Sequence, residues 1–404
     1  MKVYFSGISG TGIGPLAEFA QDAGFEVFGS DLQRGAISEE LDERSIEVSY
    51  GPQDGEFLRA KLQDGIDWFV YTSALPADHA ELAVAHEVGI KCTKRDEFIA
   101  EMIHQKNLKM IAIAGTHGKT TTTAILIWTM LQLGVPVSYL VGSTLGWAKS
   151  GLYDARGEYF IYEADEYDRN FLAYHPYIAA ITTIDYDHPD IYPTQEDYNA
   201  AFEQFQNQSE NVVKITTFDE RITLVGELRR QDASIVLEIM RKVTDFSDEE
   251  IITAINRFPG VGRRFEQIVD GAYSDYGHHP QEIKATIKMA EELKERDRFA
   301  GLAVVYQPHQ NTRQHMIRDL YSDAFVGADK VFWLPTYLTR ENPNLPVLAP
   351  EELYSGIQKV EVIESAELDT KLESEIKKLV AENWLVVLIT AGPADTWFRD
   401  IFKN

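Results

Sequence analysis

The 404-residue chain contains one cysteine, Cys92, so it can build neither an internal disulfide framework nor a cysteine-rich metal site. It is also short of positive charge: 38 lysines and arginines stand against 64 acidic residues, a net charge of -26 at pH 7. Such a surface repels phosphate backbones, which argues against a general nucleic-acid binder. A small anion needs only a local cluster of cations and stays within reach. No apolar run has the length of about 20 residues that crosses a bilayer. The opening MKVYFSGISG lacks the charged and apolar regions of a signal peptide and reads as a first strand. A cytoplasmic protein with no membrane partner is expected. Fixed-period repeats and low-complexity tracts are missing too. What the chain has in quantity is apolar side chain, 44% hydrophobic and 11% aromatic, enough for several packed cores and incompatible with global disorder.

At roughly 150 residues per domain, this length predicts two to three domains. Short apolar runs alternate with helical patterns, the signature of α/β folds built on parallel sheets. Three blocks separate. The first holds strands MKVYF, EVFGSD (26–31) and DWFVYTSA (67–74) and is bounded at 1–106, with IHQKNLK (103–109) read as an exposed linker. The second, 107–262, holds KMIAIAG (109–115), EYFIYEAD (158–165) and IAAITTID (178–185), and a helix is predicted over 247–258. The third, 263–404, holds strands within 298–309, 328–335 and 383–392.

The sharpest motif is GTHGKTT at 115–121, after a strand and before the helical stretch TTTAILIWTMLQL. Glycines there let backbone N–H groups turn toward phosphate oxygens, and the following helix adds its dipole. Gly115, Thr116, His117, Gly118, Lys119, Thr120 and Thr121 are therefore expected to bind a nucleotide, with Lys119 on the terminal phosphates and the Thr120 hydroxyl on Mg²⁺. EADEYD (163–168) follows a strand at the place where a carboxylate beside a phosphate loop holds Mg²⁺, with Glu163 the first choice and Asp165 or Glu166 in support. In TTIDYDHPDIY (182–192), Asp187 and His188 lie at a third strand end that can face the same metal. GISGTGIG (7–14) follows strand MKVYF with the glycines of a dinucleotide turn, at irregular spacing. Gly7, Gly10 and Gly12 let the backbone approach a diphosphate, and Asp31 can bond a sugar hydroxyl. In the third block, Arg263 and Arg264, YGHHPQE (276–282) and QPHQNTR (307–313) supply cations and histidines. No carboxylates accompany the histidines at metal-ligand spacing, so His278, His309 and Arg313 favour an anion over zinc.

Taken together, the glycine turn, GSD (29–31), YTSALP (71–76), GTHGKTT, EADEYD, DYDHPD, FPGVGRRFE, YGHHP and QPHQNTR resemble the Mur ligases over nearly the whole chain and in order. The resemblance implies three α/β domains: a Rossmann-like amino-terminal domain for a UDP sugar, a central ATPase with a phosphate loop, and a Rossmann-like carboxyl-terminal domain. It implies ATP and Mg²⁺ as cofactors, and amide formation between the lactyl carboxylate of UDP-N-acetylmuramate and an amino acid, L-alanine or another small one, through an acyl phosphate. It assigns Lys119, Glu163, His188 and Arg264 to catalysis, and Thr120, Glu163 and His188 to the metal. Arg264 and Tyr276 go to the nucleotide, and His278, His309 and Arg313 to the amino acid and acyl phosphate. Gly7, Ser9, Gly10, Thr11, Gly12, Asp31 and Ser73 go to the UDP sugar. A monomer or weak dimer is expected.

The chain departs from the family at several points. The central domain reads as shortened: GELRRQDA (226–233) stands where a GRHNxxNA-like segment borders the adenine, placing Leu228, Arg229 and Asp232 where histidine and asparagines are expected. Thr183 stands in place of an asparagine, and Gln310 in place of an arginine. Two alternatives follow: a recycling ligase that adds a whole tripeptide, and a non-catalytic UDP-sugar sensor.

Overall fold

The computed structural model describes every residue except Thr11, Ala36, Ser73, Ala74, Thr144, Pro189, Asp190, Arg340 and Asn404. The expectations for Thr11 and Ser73 lie outside the described residues. The mixed α/β chain carries three sheets, one in each of three domains. By contacts it divides into two compact units, residues 1–223 with 228–258, and residues 224–227 with 259–404.

The first sheet is built from β1 (Lys2–Ser6), β2 (Glu26–Asp31), β3 (Glu47–Tyr50), β4 (Trp68–Tyr71) and β5 (Lys91–Lys94). Its helices are α1 (Gly14–Asp22), α2 (Ser38–Glu43), α3 (Glu56–Leu62), α4 (Ala80–Val88) and α5 (Arg95–Gln105). Its order is β3-β2-β1-β4-β5, all parallel. Parallel strands are covered on both faces, which is why β1 is an unbroken apolar run with Val3, Tyr4 and Phe5 fully buried. The order reverses beside β1, so the crevice at a doubly wound sheet's carboxyl edge opens at the glycine turn.

The second sheet comprises β6 (Lys109–Ala114), β7 (Val137–Leu140), β8 (Gly151–Leu152), β9 (Tyr159–Glu163), β10 (Ile178–Ile181) and β11 (Asn211–Lys214). Its helices are α6 (Lys119–Gln132), α7 (Gln195–Asn207), α8 (Glu227–Val243) and α9 (Asp248–Asn256). The order is β11-β10-β6-β9-β7-β8, with only the β7–β8 pair antiparallel. β6 thus lies between β9 and β10, and the loop after β6 opens between their ends. The first two sheets share one core: Phe19 of α1 packs edge-on against Tyr153 and Phe160 at 5.6 and 5.3 Å between ring centroids. The expected linker is the last turn of α5, a short turn and the first residue of β6. α5 runs to Gln105, and Ile103 and Leu108 pack against the shared core.

In the second unit, β12 (Glu266–Val269), β13 (Ala272–Asp275), β14 (Leu302–Gln307), β15 (Lys330–Trp333), β16 (Val362–Ser365) and β17 (Leu385–Thr390) form one sheet. Its helices are α10 (Pro280–Asp297), α11 (Asn311–Ile317), α12 (Pro350–Tyr354), α13 (Thr370–Ala381) and α14 (Ala394–Ile401). The order is β12-β13-β17-β14-β15-β16, antiparallel only at β12–β13. β17 is fully buried between β13 and β14, so the ends of those two strands flank it.

Candidate active site

The loop between β6 and α6 is shaped by two glycines. At Gly115, φ is +141°, and an added Cβ would stand 2.1 Å from the Thr182 hydroxyl. At Gly118, φ is +84°, the left-handed region that glycine enters without steric cost. Residues just past β10 hold the loop: the Thr116 amide donates to the Thr183 carbonyl at 2.9 Å, the His117 amide to the Thr183 hydroxyl at 3.0 Å, and the Thr182 hydroxyl to the His117 carbonyl. Thr183 thus serves the loop directly. Among the described residues, none accepts a hydrogen bond from the amides of Gly118, Lys119, Thr120 or Thr121. Those donors start α6, where a helix leaves N–H groups for an anion.

Beside them the Thr120 hydroxyl donates to Glu163 Oε1 at 2.7 Å, at the carboxyl end of β9. Two hard oxygen groups in contact next to a phosphate loop suit Mg²⁺, which takes few protein ligands and shares the rest with water and phosphate. Lys119 Nζ donates to the Gly115 carbonyl at 2.6 Å and to Glu166 at 2.7 Å. Burial raises the pKa of the Glu166 carboxyl, against the pull of Lys119. His188, at a φ of 55°, lies 3.9 Å from Glu166 and 3.7 Å from Asp187, and packs edge-on against Tyr167. It therefore joins the group through Glu166. Among the described residues no cluster of three or more histidines, cysteines or carboxylates forms a metal cage.

At the amino-terminal turn, Gly7 has a φ of +77°, and the Ser9 amide donates to Asp31 Oδ2 at 2.9 Å. Asp31 therefore also fixes the turn that it was expected to serve only as a sugar contact. The Gly10 amide closes the turn on the Gly7 carbonyl at 3.2 Å. Sequence reading missed Arg95. Its Nη1 is 3.1 Å from where a Gly12 Cβ would be, so the guanidinium lies over the turn. Its Nη2 donates to Asp96 at 3.1 Å, and Asp96 Oδ1 also accepts from Tyr162 and Tyr174, at 3.1 and 2.7 Å. The signal was absent because Arg95 meets Gly12 only through the pairing of β4 with β1 and β5.

In the second unit the sequence-predicted residues gather at the carboxyl ends of β13 and β14. Arg264 lies over the Tyr276 ring at 5.3 Å, and Arg263 at 4.7 Å. The ring centroids of Tyr276 and His278 are 5.6 Å apart, and those of His278 and His309 are 6.1 Å apart. Burial lowers the pKa of His278, and Arg313 and Arg264 push it the same way, although Glu282 opposes them. Its Nδ1 faces Glu282 at 3.3 Å and the Tyr276 carbonyl at 3.3 Å, which leaves Nε2 as the acceptor of a neutral ring. Arg313 Nη1 is buried without a hydrogen-bond partner, a cost that an anionic ligand relieves. Gln310, at a φ of 63°, caps α11 through its backbone, with its amide bonded to the Tyr337 carbonyl.

The sequence matches the Mur ligase family catalytic domain over residues 2–107 and the Mur ligase middle domain over residues 113–251. A UDP-N-acetylmuramate–L-alanine ligase of Fusobacterium nucleatum is 30% identical, covering 100% of this chain and 97% of its own length. That alignment runs over 471 positions against 404 residues here, so the relative carries segments with no counterpart in this chain. The enzyme of the same name from Syntrophomonas wolfei is 29% identical over 98% of this chain and 95% of its own. Among solved structures, the UDP-N-acetylmuramate-alanine ligase MurC of Thermotoga maritima superposes with a TM-score of 0.77 at 20% identity, covering 99% of this chain and 98% of that one. A murein peptide ligase of Psychrobacter arcticus gives a TM-score of 0.57 at 20% identity, covering 100% and 97%. The chain belongs to the Mur ligase family, whose members are ATP-dependent ligases.

Proposed function

We propose that this protein joins L-alanine to the lactyl carboxylate of UDP-N-acetylmuramate at the expense of ATP. The observation that carries the reading is the contact of Thr120 with Glu163 beside an unpartnered row of loop amides, in a chain aligned end to end with ligases of that name. The γ-phosphoryl leaves ADP as its bond to the β-phosphate oxygen breaks, and its phosphorus bonds to the carboxylate oxygen. The amine nitrogen then attacks the acyl carbon, the C–O bond to phosphate breaks, and the amine gives up a proton. His278, kept neutral with Nε2 unprotonated, suits that proton.

Lys119 would exchange Glu166 for the terminal phosphates, and Thr120 and Glu163 would hold Mg²⁺, with His188 in support through Glu166. Held there, Mg²⁺ would supply positive charge to the oxygens that transfer brings together. Arg264 and Tyr276 would meet the nucleotide, and Arg313 and His309 the acyl phosphate or the amino acid's carboxylate. At the amino-terminal turn, Gly7, Ser9, Gly10, Gly12 and Asp31 would cradle the diphosphate and sugar, with Arg95 adding the charge that a polyanion needs in so acidic a protein. Lys119→Ala tests the assignment. Turnover is expected to fall on the order of a hundredfold or more, the cost of losing one transition-state donor, while sugar-nucleotide affinity is kept. Turnover at the parental rate would overturn it.

A further inference from the structure

Asp232 is a carboxyl in an unexpected place. It lies on the buried side of α8 and is 8% exposed, facing α6. An added Cβ on Gly118 would meet Asp232 Oδ1 at 2.5 Å, Oδ2 at 3.0 Å and Cγ at 3.1 Å, so the whole carboxyl lies against that glycine. Gly118 begins the row of amides described above. A negative charge there opposes the polyanion that the loop would hold. Lys119, next in the chain, is committed to the Gly115 carbonyl and Glu166. Among the described residues, the groups acting on the Asp232 carboxyl are Thr122, one turn into α6, and Arg229, one turn back on its own helix.

We infer that Asp232 is a positioning residue for nucleotide affinity: its carboxyl backs Gly118 while uncharged, and its ionisation repels the phosphates that the loop would hold. Burial supports this by pushing its pKa up to about 8, against the pull of Thr122 and Arg229. A bound polyanion favours the protonated form further. Affinity is therefore full below that pKa and falls as pH rises through it, by up to about tenfold per pH unit. An asparagine has the same shape and no charge to develop. The inference rests on reading residues 115–121 as a nucleotide loop.

The test is the dissociation constant of Mg·ADP for the full chain, measured from pH 6.5 to 9.5 for the parent, Asp232→Asn and Asp232→Ser. The ratio to each variant cancels the titration of ADP and of every group the three proteins share. Parent and Asp232→Asn are expected to bind alike near pH 7, with the parent about tenfold weaker at pH 9.5. Asp232→Ser, neutral and smaller, keeps the same pH-independence. A parent-to-variant ratio that stays flat with pH would overturn the inference, as would equal loss of ADP in both variants at every pH. No ADP binding by any of the three proteins would overturn the loop reading and this inference with it. A flat ratio with tight ADP binding removes the inference alone.

Discussion

Gly115→Ala would set a methyl group 2.1 Å from the Thr182 hydroxyl at a φ of +141°. Backbone strain of that kind costs roughly 1–3 kcal/mol. The expected outcome is a lower midpoint in urea together with loss of Mg·ADP binding, because Thr182 also holds the His117 carbonyl. A variant with parental stability and ADP affinity would contradict the loop geometry. Arg95 makes a separate prediction. Hydrogen bonds to charged groups contribute about 1.5–3 kcal/mol, so Arg95→Ala should weaken UDP-N-acetylmuramate roughly 10- to 100-fold and flatten its salt dependence. Calorimetry at two ionic strengths checks both, and unchanged affinity would remove Arg95 from the site. Lys119, Thr120 and Glu163 were legible in the sequence because spacing and strand ends specify them. Arg95 and Asp232 were not, since each acquires its meaning from a glycine distant in the chain.

The helix α1 ties the first two sheets into one body, and Phe19 is its anchor, with an exposure of 1%. Phe19→Ala should cost about 3–5 kcal/mol, the usual loss for a buried aromatic. Because the core is shared, amides of both β1 and β6 should lose hydrogen-exchange protection together. Loss confined to β1 would show that the two sheets unfold independently. The strands themselves were readable as apolar runs, with ends displaced by a few residues. The run IAAITTID extends past β10, which stops at Ile181 because Thr182 and Thr183 turn away to grip the phosphate loop. The supposed linker at 103–109 was misread because the exposed His104 and Gln105 end α5 and the polar turn after them is short, while Ile103 and Leu108 face inward. The segment in place of the adenine border forms the start of α8, with Leu228 51% exposed and Asp232 buried, a division that sequence alone did not reveal.

At the scale of the whole chain, a net charge of -26 means that any polyanionic substrate must be drawn in by a few placed cations. Those cations are found beside acids: Lys119 against Glu166 and Arg95 against Asp96. Each is held in place by its carboxylate partner. No helix among the described residues is long and apolar enough to cross a membrane. The family and the order of the motifs point to one activity, and that activity can be measured directly. Phosphate release from ATP and Mg²⁺ should be followed with UDP-N-acetylmuramate and, in turn, L-alanine, glycine, L-serine, the tripeptide or no amino acid. The account predicts release that requires both the sugar nucleotide and L-alanine, with little for the others. Release with the tripeptide instead, or none under any condition despite tight binding of the sugar nucleotide, would contradict it.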